Sequence, residues 1–220
     1  MRAVLTSLCI LSALIAPGAS LLCQQCTDLQ HNNCSTSAPV QCHSSQTHCV
    51  SILRQTILSV GGPKMMSIIK SCGTKKDCDL TTSTNAGSFQ MITSSKCCNT
   101  DNCNPPQINI PLKETNPNGL YCMSCYSGSI DTCDKKENTT CVGGEDRCIQ
   151  YGVTIKSGGQ DMKIAVHGCA TRNMCDTQAR AAYYGSSFEV KGFQCSSGTR
   201  PQLGLFLSAL TGLLLMKLFS

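Results

Sequence analysis

The 220-residue chain contains no tryptophan, and aromatic residues make up only 5% of it, so a single domain of this length has little from which to build a large aromatic core. Charged residues are also scarce, at 14%. No serine stands in a G-x-S-x-G elbow and no glycine-rich phosphate loop follows a strand pattern. No pair of carboxylates stands out among the 13 acidic residues. These gaps argue against nucleophilic, phosphoryl-transfer and paired-carboxylate catalysis, and no enzyme is expected. A nucleic-acid partner is not expected either, because Lys and Arg are scattered and form no stripe. The 18 basic residues, less Arg2, Arg200 and Lys217 in the processed ends described below, face 13 acidic ones in a nearly even balance.

The two apolar blocks lie at the ends, and neither reaches the ~20 residues of a membrane-spanning helix. Arg2 is followed by an apolar stretch over residues 3–16 and then by Pro17-Gly18-Ala19-Ser20, the pattern of a secretory signal peptide with a small-residue cleavage site. Residues 1–20 are expected to be removed. At the other end, Ser196-Ser197-Gly198, the polar spacer 199–202 and the apolar tail 203–219 follow the order of a glycolipid (GPI) anchor signal. Ser196 is expected to carry the lipid and residues 197–220 to be cut away. A transmembrane helix would call for a longer run with basic residues after it.

What the chain has in abundance is cysteine, 19 in all, of which Cys9 leaves with the leader. The remainder is an even number in an oxidising compartment, which signals a disulfide framework. Their order is more informative still. Cys23, Cys26, Cys34, Cys42 and Cys49 are separated by gaps that recur unchanged through Cys122, Cys125, Cys133, Cys141 and Cys148. Cys72, Cys78 and Cys97 are then matched by Cys169, Cys175 and Cys195. Two copies of one module follow, residues 21–104 and 120–196, joined by a proline-rich linker over residues 105–119. Within each copy a run rich in β-branched residues, a Gly-Gly turn and a second run read as a hairpin: residues 49–59 and 64–71 around Gly61-Gly62, and residues 149–156 and 161–167 around Gly158-Gly159. The fold class is all-β and disulfide-rich.

The first copy closes on Cys97-Cys98-Asn99-Thr100-Asp101-Asn102-Cys103-Asn104. With that run the chain resembles the lymphocyte-antigen and urokinase-receptor (LU) family of three-finger, snake-toxin-like modules. Spacing alone leaves the pairing among ten cysteines open. The resemblance implies Cys23 with Cys49, Cys26 with Cys34, Cys42 with Cys72, Cys78 with Cys97 and Cys98 with Cys103. In the second copy it implies Cys122 with Cys148, Cys125 with Cys133, Cys141 with Cys169 and Cys175 with Cys195. That copy departs from the pattern at Ser196, where a second adjacent cysteine, a short loop and a terminal Cys-Asn would stand; two-module members with this asymmetry resemble gamma-class phospholipase inhibitors and lipid-anchored surface glycoproteins.

Cys23-Gln24-Gln25-Cys26 and Cys122-Met123-Ser124-Cys125 have zinc-like spacing, but their sulfurs are spoken for in the implied bridges, and no metal or cofactor is expected. His31, His43, His48 and His167 are scattered and read as loop or strand residues. Asn138-Thr139-Thr140 is a glycosylation acceptor at Asn138; Asn33-Cys34-Ser35 fits formally but holds a bridged cysteine. The family resemblance implies binding of an extracellular protein through the central fingers, residues 53–67 and 154–162. The residues expected to contact it are Arg54, Gly61, Gly62, Lys64, Lys156, Gly158 and Gly159. A membrane contact through the lipid anchor is expected beside it. The alternatives are a secreted inhibitor of phospholipases, whose partner would be a secreted phospholipase, and a structural surface-coat glycoprotein.

Overall fold

The computed structural model describes residues 20–28, 34, 37–130, 132–133, 137–157, 160–176 and 188–198. By compactness these fall into two units. The first gathers the residues up to Arg54 together with Met66–Leu80 and Ser94–Asn109; the second gathers Gln55–Met65, Thr81–Thr93 and the residues from Ile110 onward. Nearly all the ordered structure is strand, as the composition requires of a chain whose apolar residues come in short β-branched runs.

Six strands come from the first copy: β1 (Leu22–Asp28), β2 (Ala38–Gln41), β3 (His48–Ile57), β4 (Met65–Gly73), β5 (Thr81–Ala86) and β6 (Phe89–Cys98). In the first unit β3 runs between β6 and β4, and β1 joins β4 to β2. The β1–β2 register places Leu22 opposite Gln41, Cys23 opposite Val40 and Gln24 opposite Pro39. Val50, Ile52 and Leu53 on β3 and Ile68 and Ile69 on β4 are buried. One cluster of this unit's core consists of half-cystines: Cys23, Cys42, Cys49 and Cys72, with Leu21, Val40, Cys98 and Cys103 packed around them. A module short of aromatics thus fills its centre with sulfur, which is both apolar bulk and crosslink.

The second unit holds β7 (Pro117–Ser127), β8 (Glu137–Val142), β9 (Arg147–Ser157), β10 (Gln160–Ala170), the short helix α1 (Arg172–Asp176) and β11 (Phe188–Ser197). β10 and β9 pair antiparallel along their whole lengths, Gln160 opposite Ser157 through to Ala170 opposite Arg147. β11 adds to the far side of β9, with a bulge between Lys191 and Gln194. β10 also meets β7 at residues 165–167 and β5 at Cys169 and Ala170. Gly168 permits that last approach, since a Cβ there would overlap the Asn85 carbonyl. The core joins Ala86, Phe89 and Met91 to Ile149, Tyr151, Val153, Val166, Ala170 and Met174. β7 begins at Pro117, inside the stretch expected to be linker; proline is tolerated at a strand's first residue because no ladder donor is needed there. The helix α1 carries no sequence signal that marked it.

Nine disulfides join the pairs that the three-finger pattern implies: 23–49, 26–34, 42–72, 78–97 and 98–103, then 122–148, 125–133, 141–169 and 175–195. Their Cα separations, between 5.2 Å and 6.2 Å, lie in the range a bridge spans without backbone movement.

Tyr126 stacks on Phe89 with centroids 4.8 Å apart, and burial pushes its phenol above the ordinary 10.0. The folded state therefore holds this proton more tightly than the unfolded chain. That stability is fully present below the unfolded pKa and is lost as pH rises through the folded one. Thermal unfolding followed from about pH 9 to pH 11 should show an alkaline loss that Tyr126→Phe, which keeps the stack, reduces. An unchanged pH profile in that variant would rule Tyr126 out as its source.

Candidate binding surface

The β3–β4 hairpin ends in a tight turn. Gly62 donates its N–H to the Ser59 carbonyl at 2.9 Å, and Gly61 sits at φ +72° with open space around the Cβ position. Gly62 packs so closely on Ser59 that a Cβ would overlap its hydroxyl. Both glycines are thus there for the geometry of the turn. Among the other residues expected to bind, Lys64 is exposed at this tip and Arg54 is half-buried lower on β3. The residues the tip presents are different ones: Leu58, Val60 and Met65 are all exposed, Val60 by 84%. Sequence reasoning assigned Leu58 to the strand and Val60 to the turn. The available signal was the apolar Leu58, Val60 and Met65 around Gly-Gly, where a solvated turn would carry polar residues.

In the second copy, β9 and β10 form the corresponding hairpin. Lys156 lies on β9 opposite Asp161, while Gly158 and Gly159 fall outside the described residues. Met162, just beyond, is half exposed. The first tip carries three exposed apolar side chains, and Met162 is exposed among the residues described near the second.

β7 shows a strict alternation from Gly119 to Ser124, which buries Leu120, Cys122 and Ser124 and turns Tyr121 and Met123 outward. Beside them runs a groove of about 310 Å³, lined among others by Tyr121, Met123, Gln150, His167, Gln194 and Ser196. Gln150 donates to Gln194 across its wall at 2.6 Å. Ser196, the residue expected to carry the lipid, is exposed on β11 and pairs with Cys148. Asn138 is exposed on β8, opposite Met123. Of the expected ends, residues 1–19 and 199–220 lie outside the described residues, as does His31.

Among the described residues, three groups of side chains bring ligand atoms within 4.8 Å of one another: Cys23, Cys42 and Cys72; Cys122, Cys141 and Cys169; and Cys125, Cys133 and His167. Every sulfur among them is in a disulfide and has no thiolate to offer a metal. These groups are structural.

The model of the u-PAR/Ly-6 domain matches the chain twice, at residues 19–106 and 118–199. The chain belongs to the u-PAR/Ly-6 domain family. Its relatives include the bovine (Bos taurus) urokinase plasminogen activator surface receptor, 28% identical over 63% of this chain and 41% of the receptor. Protein RoBo-1 of Rattus norvegicus is 29% identical over 57% of this chain and 58% of its own. A gamma-type phospholipase A2 inhibitor of Laticauda semifasciata is 29% identical over 61% of this chain and 74% of its own. The chain thus spans less than two thirds of the first two of these u-PAR/Ly-6 relatives. A crystal structure of mouse TEX101 covers 80% of this chain at 21% identity with a TM-score of 0.33, too low to carry an argument about arrangement. Relatives named as a receptor and as an inhibitor thus stand beside this chain, and among the described residues no helix is long and apolar enough to cross a membrane.

Proposed function

We propose that this chain is an extracellular surface protein, held by a glycolipid at Ser196, that binds a protein ligand through the tip of its β3–β4 finger. The observation that carries the reading is the exposure of Leu58, Val60 and Met65, three apolar side chains around one hairpin turn. Apolar groups so placed gain free energy only when a partner covers them. The family supports a recognition role, since one relative is named as a surface receptor for a protein. The anchor reading is supported by the small residues, polar spacer and apolar tail from Ser196 onward. Lys64, exposed at the same tip, supplies a polar rim.

A second reading, a secreted phospholipase inhibitor, is favoured by the match to the Laticauda protein over 74% of that protein's length. One experiment separates them. Cells expressing the chain are treated with phosphatidylinositol-specific phospholipase; surface protein shed by treatment supports the anchor, and protein in the medium beforehand supports the secreted reading. Ligand captured on such cells should then lose affinity about tenfold or more with Val60→Asp, which places a charge in the centre of the tip. Undiminished capture by that variant would remove the finger tip from the reading.

A further inference from the structure

The last loop of the first copy does more than close a disulfide. It fills a slot beside β1 with donors and acceptors matched to the strand edge. Leu22 donates its N–H to the Asp101 carboxylate at 2.8 Å and accepts at its carbonyl from the Asn102 N–H at 2.7 Å. Gln24 donates its N–H to the Asn104 side-chain oxygen at 2.7 Å. The Asn104 amide nitrogen then donates to the Val50 carbonyl at 2.9 Å, and Asn104 is itself buried.

The second copy has the same slot without that loop. Counting from Cys23 and Cys122, Tyr121 and Met123 stand where Leu22 and Gln24 stand, and Ile149 stands where Val50 does. The strand registers agree as well: Tyr121 faces Thr140 and Met123 faces Asn138, the places of Gln41 and Pro39. In an antiparallel pair a residue turns its N–H and C=O to the same side, and alternate residues turn opposite ways. Leu22 and Gln24 turn theirs away from β2, so Tyr121 and Met123 turn theirs away from β8. That side is the 310 Å³ groove. The Tyr121 carbonyl there meets the Cys148 sulfur at 3.6 Å, a disulfide sulfur with no proton to give.

The geometry points to this groove as a peptide-binding slot, vacated by the missing loop, for an extended segment of another protein carrying an Asp or Asn and, three residues on, an Asn or Gln. The first copy supplies the template. A side-chain acceptor meets the Tyr121 N–H, a backbone N–H meets the Tyr121 carbonyl, and a carboxamide bridges the Met123 N–H to β9. This is strand addition at an edge, with the backbone giving affinity and the two acceptors giving selectivity. Exposed Tyr121 and Met123 add apolar contact on the outer face. The slot is separate from the finger tip. It rests on the anchor reading in one respect, since cleavage after Ser196 removes the residues with which the chain could fill the slot itself.

The test is hydrogen exchange on the two-copy protein released from cells, with and without a peptide of residues 99–105 of this chain in which Cys103 is Ser. The Tyr121 and Met123 amides should exchange faster than those of Leu22 and Gln24 in the free protein. The peptide should slow them by about fivefold or more, the protection one hydrogen bond confers. The peptide with Asp101→Ala and Asn104→Ala should do nothing. Met123→Pro, which removes a donor from an edge where proline is tolerated, should abolish the effect with the circular dichroism unchanged. Slow exchange in the free protein, or no slowing at saturating peptide, overturns the proposal. The mass of the C-terminal peptide decides the anchor separately: residues retained beyond Ser196 sink that reading, and the exchange data still judge the slot.

Discussion

Replacing Cys42 and Cys72 together by alanine should abolish export of the folded protein, whereas replacing Cys98 and Cys103 should only weaken the fold. The two bridges differ in what they close and in where they lie. Cys42–Cys72 closes a separation of 30 residues, worth about 3–4 kcal/mol of unfolded-chain entropy, and its half-cystines sit in the buried cluster with Cys23 and Cys49. Loss of the bridge and of sulfur bulk from the same core exceeds the margin of a small domain. Cys98–Cys103 closes a separation of five residues, worth about 2 kcal/mol, and lies at the edge of that cluster. Its loss should lower the melting midpoint by about 10 °C and leave the module folded. The second copy argues the same way, for it folds around Cys122, Cys141 and Cys169 with no bridge at the position of Cys98. A Cys42/Cys72 variant that was exported by the cells as well as the parent and melted within a few degrees of it would refute the contrast.

The cysteine spacing made the repeat legible because bridges fix chain geometry at defined intervals, and the same gaps demand the same framework. The hairpins were legible because Gly61-Gly62 interrupts two β-branched runs. Three things were hidden. Glu145, in the polar run Gly143-Gly144-Glu145-Asp146-Arg147, has the composition of a solvated turn yet is fully buried, since its partner Ser83 comes from 62 residues away. Residues 81–93 of the first copy belong to the same compact unit as the second, which no local pattern announces. The vacant slot was visible as an absence after Cys195, but its meaning required the register that equates Tyr121 and Met123 with Leu22 and Gln24. Local spacing specifies a module. Contacts between distant segments, and exposure at a turn, are decided by three-dimensional packing.

Glu145 carries the second large expectation: Glu145→Leu should cost about 3–5 kcal/mol, and Glu145→Gln about 1–2. Its carboxylate accepts from the Ser83 hydroxyl at 2.7 Å and from the Val142 N–H at 3.1 Å. Its own backbone closes the turn, N–H to the Val142 carbonyl at 3.0 Å, and Asn118 donates to both the Glu145 and Gly143 carbonyls. Leucine preserves the bulk and strands two donors, each worth about 1–3 kcal/mol when buried without a partner. It also strips Lys113 of an opposing charge: burial holds that half-buried ammonium below its ordinary value, and attraction to Glu145 is what counters the fall. Glutamine keeps one acceptor oxygen, so one of the two donors stays satisfied. The mechanism, as distinct from the size of the loss, is read from a double-mutant cycle. Ser83→Ala removes one stranded donor, so the pair Glu145→Leu with Ser83→Ala should be less destabilised than the two single losses added together, by about 1 kcal/mol or more in denaturant unfolding. Strict additivity would mean that Glu145 is held by packing and that the Ser83 hydrogen bond contributes nothing.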